Sequence, residues 1–126
     1  MKAVRAVLAG ALALGLNSCG GQETPAAGRP LTVVSVGVPA AVSATGPLTV
    51  TLRYVVQCGE SDLAIKPIRR TATVLQLSAS ARYTPMVCAA VYEERELSYT
   101  DPGTPARREP FQISVNGKDW ATVQVP

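Results

Sequence analysis

The chain has 126 residues, a formal net charge of +3, ten glycines, ten prolines, three cysteines and no histidine. That length suits one domain and is short for two. The absence of histidine removes the usual general base, every Ser–His or Cys–His nucleophile and the commonest metal ligand, so the sequence offers no catalytic residue, no metal site and no cofactor, and is read as a non-enzyme.

The first element is an address. Lys2 and Arg5 make a positive N-terminus, and Ala6 to Leu16 follow without a charge. This apolar run is shorter than the ~20 residues a membrane-spanning helix needs. A charged start, a short apolar centre and small residues before a cut site make a secretory signal. Leu16-Asn17-Ser18-Cys19 closes it and resembles the bacterial lipobox. Asn17 is a less usual occupant of its position. The resemblance implies that residues 1–18 form a signal helix that is cleaved and that the Cys19 thiol carries diacyl (palmitate-type) chains. It also implies that the new amine is acylated and that the protein's first partner is a membrane, reached through this N-terminal lipid. Loss of Lys2 and Arg5 brings the net charge from +3 to +1, which gives no basis for nucleic-acid binding. Gly20 stands where an Asp would resemble an inner-membrane retention signal, which favours the outer membrane if the host has one. An odd cysteine count in a secreted chain needs an explanation. Lipidation of Cys19 supplies one and leaves Cys58 and Cys88 to pair.

Residues 19–30 contain almost no large apolar side chain and read as a lipidated tether. From Leu31 the chain changes to short β-type runs parted by turn signals. Leu31 to Val38 is the first run, and Thr45-Gly46-Pro47 is a turn. Leu48 to Cys58 alternates most cleanly: Leu48, Val50, Leu52, Tyr54, Val56 and Cys58 share one face, and Thr49, Thr51, Arg53 and Gln57 the other. Period-two alternation of this length predicts one buried and one wet face. Leu63 to Ile68 contains Pro67, which removes a ladder donor, so this run belongs on an edge or is partly loop. Thr71 to Ser80 is a strand of undetermined phase. Met86 to Tyr92 is apolar on both faces and reads as a central strand that emerges into solvent at Glu93-Glu94-Arg95-Glu96. A helix over Val87 to Leu97 is the competing assignment. Thr100 to Pro110 is a proline-rich loop, with Arg107 or Glu109 as the earliest start of the next strand. Phe111, Ile113 and Val115 alternate with Gln112 and Ser114 up to Asn116-Gly117, the strongest hairpin signal in the chain. Trp120 to Val125 returns. A three-residue loop with a Gly117 bulge pairs Ile113 with Ala121 and Phe111 with Val123 and gathers the aliphatic residues on one face. A two-residue loop would pair Val115 with Lys118 and Ile113 with Trp120. The preferred register points Trp120 away from the common face, where it is either exposed or covers a second small cluster.

About seven strands over residues 31–126 predict an all-β, two-sheet antiparallel sandwich. The strand ending in Val38-Pro39, the LTVTLRYVVQC and MVCAAVY runs and the closing FQISVNG hairpin resemble the immunoglobulin-like sandwiches of uncharacterised bacterial lipoproteins. Antibody-type domains differ, because no Trp lies between Cys58 and Cys88. A disulfide joining two inward-facing strands is the simplest account of this pair. A redox role lacks the C-x-x-C spacing.

Other chemistry is sparse. No glycine-rich phosphate loop follows a strand. Glu93, Glu94 and Glu96, with Asp101, form an acidic cluster read as a charged strand end that discourages edge pairing, with cation binding as the alternative. Arg69-Arg70 and Arg107-Arg108 read as solvated pairs. The 100–110 loop, with Arg107 and Arg108, is the best recognition candidate, and Trp120 is a second. The expected function is a lipid-anchored, non-catalytic envelope module that faces the periplasm or exterior and binds another envelope protein or polysaccharide. The alternatives are a protease inhibitor using the 100–110 loop and an enzyme of an unrecognised class.

Overall fold

The computed structural model describes residues 27–126. The expected signal segment (residues 1–18), Cys19 and residues 20–26 of the expected tether lie outside the described residues. The domain is an all-β sandwich of eight strands in two sheets. These are β1 (Ala27–Pro30), β2 (Thr32–Gly37), β3 (Leu48–Val55), β4 (Glu60–Arg70), β5 (Val74–Tyr83), β6 (Glu94–Asp101), β7 (Phe111–Val115) and β8 (Lys118–Val123).

One sheet is built on β5. One edge of β5 is lined by β4. The other is shared by β7, along Val74 to Leu77, and β1, along Ser80 to Tyr83. β8 continues this sheet beyond β7. The second sheet has the order β2-β3-β6. Leu31 separates β1 from β2 and is buried where the chain leaves one sheet for the other. Every strand pair is antiparallel except β5–β7. The chain passes from β5 to β6 in the opposite sheet and back to β7. Two reversals restore the direction of β5, so the all-antiparallel expectation fails at this one pair.

The core lies between the sheets, where the alternation of β3 holds. Leu48, Val50, Leu52 and Tyr54 are buried against Leu75, Leu77, Ala79 and Ala81 of β5 and Phe111, Ile113 and Val115 of β7. These facing rows fix the phase of β5. On the outer face, Thr49 meets the Thr100 hydroxyl at 2.9 Å and Thr51 meets Ser98 at 3.2 Å. Such directly opposed side chains are the unit of sheet stabilisation. The turn before β3 forms as expected, with the Gly46 amide donating to the Ser43 hydroxyl at 2.9 Å.

Three assignments are corrected and one is extended. Residues 27–30 of the expected tether are not tether: Ala27–Pro30 adds a strand to β5, held by Arg29 to Glu60 at 3.0 Å and by Arg29 over the Tyr83 ring at 3.7 Å. The edge placement of the Leu63 to Ile68 run holds: it is part of the longer, eleven-residue strand β4, which pairs with β5 alone among the described strands and is irregular next to Pro67. Residues 86–92 form neither a central strand nor a helix: they lie in the exposed connection between β5 and β6. A central position needs two free strand edges. Those of β5 are taken by β4 and by β1 with β7, and those of β3 by β2 and β6. The third correction is at the last hairpin. Val115 pairs with Lys118 across a two-residue Asn116-Gly117 turn, both residues with positive φ. The register then shifts at Trp120, so that Ile113 pairs with Ala121 and Phe111 with Val123. The expected aliphatic pairs form, but the extra residue is Trp120 rather than one in the turn.

Asn116 also repairs β5 between β7 and β1. Its amide donates to the Leu77 carbonyl at 2.9 Å. Its side-chain oxygen accepts from the Ala79 amide at 2.9 Å, and its side-chain nitrogen donates to the Ala79 carbonyl at 3.0 Å. The side chain thus stands in for a strand residue where two strands meet end to end. Asn116→Ala removes both side-chain bonds and places a Cβ-bearing aliphatic residue at φ 52°. A loss of about 2–3 kcal/mol is expected by urea denaturation.

Candidate functional site

The ends of the sandwich present two candidates, and the sequence singled out residues in both. At the first end, β3 and β7 begin, β6 finishes, and residues 102–110 cross back between the sheets. Asp101 closes β6 and is 1% exposed. Arg70, at the end of β4, grips it twice, Nε to Oδ1 at 2.8 Å and Nη2 to Oδ2 at 3.0 Å. Arg107 grips it from the loop, Nη2 to Oδ2 at 2.6 Å. Arg107 Nη1 donates to the Ser43 and Gly46 carbonyls at 2.8 and 2.6 Å. Arg70 Nη2 donates to the Pro105 carbonyl at 2.8 Å. Both guanidinium groups lie over Phe111, at 4.9 and 5.5 Å from its centroid.

Burial pushes the Asp101 carboxyl up, but hydrogen bonds from Arg70 and then Arg107, with their charges, outweigh it. They hold the group below its ordinary value. Gly103 follows with φ +97°, its amide donating to Asp101 at 3.2 Å. A Cβ there would overlap the Thr45 carbonyl. The peptide bonds before Pro105 and Pro110 are cis.

This geometry corrects the recognition reading of Arg107. The residue is 2% exposed and its Nη1 and Nη2 donors face backbone carbonyls and Asp101, so no partner can reach it. It fastens the loop to the sandwich. The reading of the arginine pairs as solvated fails for Arg70 and Arg107 and holds for their exposed neighbours Arg69 and Arg108. Asp101 is likewise no member of an acidic cluster, since it lies at the far end of β6 from Glu94. Of the two arginines named for the protease-inhibitor alternative, Arg107 is buried and Arg108 is exposed.

At the second end, residues 84–93 connect β5 to β6. The segment is clamped on both sides: the Thr84 amide donates to the Gly59 carbonyl at 2.9 Å, and the Val56 amide to the Glu93 carbonyl at 2.8 Å. Between these clamps, Cys88 is joined by a disulfide to Cys58, with Cα atoms 6.1 Å apart, within the usual range. Both cysteines are exposed, which corrects the inward-facing placement. The reason lies in β3, which ends at Val55 before the Cys58 position of its alternating face. Around the bridge, Met86 is 59% exposed, Val87 100%, Val91 72% and Tyr92 70%. A shallow hollow opens between Val56, the disulfide and Val91.

The acidic residues beside this loop are paired. Arg53 meets Glu94 at 3.5 Å and Glu96 at 3.1 Å, and Arg95 meets Glu93 at 2.7 Å. Tyr92 donates to Glu94, a bond that raises the phenol's pKa, followed by burial and the charge of Glu94. Among the described residues, no group of three His, Cys, Asp or Glu side chains can hold a metal. Trp120 is half-buried and packs on the core rather than pointing away from it, with Lys118 Nζ 4.1 Å from its ring centre. The bulge rotates the residue inward. Sequence reasoning missed the partnership of Arg70 and Asp101 with Arg107, and the exposure of Val87 and Val91.

Comparisons with family models, with curated proteins and with solved structures find no match to this chain.

Proposed function

We propose that the chain is a lipid-anchored, non-catalytic protein of the bacterial cell envelope, held at a membrane through Cys19 and serving as a binding or structural module. The observation that carries this reading is the division of the cysteines. The Cys58–Cys88 disulfide uses two of the three and suits an oxidising compartment. Cys19 is the third, and it stands in the lipobox-like Leu16-Asn17-Ser18-Cys19. The domain's first strand begins at Ala27, a short way along the chain from that residue. Its partner in this reading is another envelope protein or a polysaccharide, on the periplasmic or exterior side, at the outer membrane where the host has one.

Cys19→Ser provides the test. Mass spectrometry of the wild-type chain is expected to find residues 1–18 removed and Cys19 carrying acyl chains. The variant loses the acyl mass and its membrane association, while the Cys58–Cys88 bridge persists under non-reducing conditions. A mature chain with Cys19 in a disulfide, or acylation unchanged by the substitution, would sink the reading.

A further inference from the structure

We infer that the exposed apolar loop at residues 86–92 docks on a lipid surface and seats the disulfide end of the sandwich in the interfacial layer of the bilayer. This rests on the lipid-anchor reading above and deepens it: the anchor supplies attachment, and the loop sets which end of the domain faces the membrane.

Four observations converge. Residues 86–92, Met-Val-Cys-Ala-Ala-Val-Tyr, carry no charge, and all of them are exposed. Apolar side chains scattered singly on a surface are ordinary, but a contiguous run marks a contact. Second, the run is held in place by the disulfide and by the bonds at Gly59 and Val56. A loop already ordered loses little conformational freedom on contact.

The third observation is position. Ala27 pairs with Tyr83, just before the loop. Cys19 precedes Ala27 by eight residues. At ~3.5 Å per residue, the chain between them spans at most about 28 Å, whatever its path. A lipid on Cys19 therefore keeps this end of the sandwich close to the bilayer. Fourth, the charges bordering the loop are matched internally: Arg53 with Glu94 and Glu96, Arg95 with Glu93, Arg82 with Asp62 at 3.7 Å, and Arg29 with Glu60. These four arginines and five carboxylates leave no positive surplus to face the headgroups, so the contact is insertion of Val87, Val91 and the Tyr92 ring rather than binding of anionic lipid. A tyrosine with an apolar body and polar tip suits the membrane–water interface.

The experiment uses the full, processed chain in phosphatidylethanolamine vesicles, with and without phosphatidylglycerol. Val91→Trp places a reporter on an exposed position, with Trp120 as the constant background. The emission added at position 91 is expected to shift to the blue and to lose most of its intensity when the acyl chains are brominated near the headgroup, equally in both lipid mixtures. Emission unquenched by brominated lipid overturns the docking. In intact envelopes, a photoreactive residue at position 87 is expected to capture phospholipid. A discrete protein adduct there instead assigns the loop to a protein partner and overturns the inference. The N-terminal mass of the same sample separates the two claims: acylated Cys19 with an unquenched reporter removes only the docking, whereas unacylated Cys19 removes the anchor and the docking together.

Discussion

Arg107→Ala and Arg108→Ala, adjacent in the chain, are expected to differ in stability by about 3–5 kcal/mol, because removing one partner from a buried ion cluster leaves the others uncompensated. Without Arg107, the Ser43 and Gly46 carbonyls lose their side-chain donor and Asp101 keeps only Arg70 and the Gly103 amide. Arg108 is exposed, and its removal should change stability by no more than about 0.5 kcal/mol. Asp101→Asn should cost as much as Arg107→Ala, since it leaves two guanidinium groups facing a neutral amide. For a domain of this size each kcal/mol lowers Tm by about 4–8 °C, so thermal unfolding followed by circular dichroism separates the two arginine variants by more than 10 °C, about the lower limit of that conversion. Equal midpoints would mean that the cluster contributes nothing.

The same cluster sets a pH dependence. Asp101 is held below its ordinary value of 3.8 in the folded chain, so folding favours its ionised form. The stabilisation is complete above the unfolded value and drains away as pH falls through the lower folded one. The wild-type chain should therefore lose stability below about pH 4 by this route, and Asp101→Asn should lack that component of the acid limb. Urea midpoints of both chains between pH 2 and 6 measure the difference. Parallel curves would show that the acid sensitivity arises elsewhere.

What the sequence made legible follows from how local each signal is. The β3 alternation fixed a buried face because it is contained in eight residues, and Asn116-Gly117 marked a turn because two positive φ values restrict the residues that can occupy it. The Trp120 bulge was not legible, since it depends on which register lets Phe111 and Ile113 meet partners on the core side. The ion cluster was legible only in its composition. Arg70, Asp101 and Arg107 come from β4, β6 and a loop, and only the crossing between sheets brings them together. The nearest available signal was an aspartate and an arginine in a segment otherwise made of small residues and proline, Thr100 to Arg107. Met86 to Tyr92 failed for the opposite reason. Apolar composition reads as burial, but burial in a sheet also requires a free edge, and edges are allocated by the whole topology.

Breaking the Cys58–Cys88 bond should cost about 3.5 kcal/mol, the chain-entropy value for the loop it closes, and how that cost arises is the informative part. The two residues are 30 apart in sequence, and both lie at the surface. A buried cysteine replaced by alanine leaves a cavity, so substitution costs more than reduction. Here neither side chain fills the core, so Cys58→Ala with Cys88→Ala should match the effect of dithiothreitol on the wild-type chain within about 0.5 kcal/mol. Nearly all of the effect then belongs to the unfolded ensemble, whose closed loop is released in both cases. Locally the bond has a second consequence. Without it, residues 86–92 keep the flanking clamps at Gly59 and Val56 and the Tyr92–Glu94 bond, and their amides should exchange hydrogen faster while those of β3 and β5 keep their order of protection. Urea denaturation with and without reductant, paired with hydrogen exchange across residues 84–93, tests both. A substitution cost well above the reduction cost would place the cysteines in packing contacts that their exposure rules out. Unchanged exchange in the reduced chain would mean that the apolar loop holds its shape without the bridge.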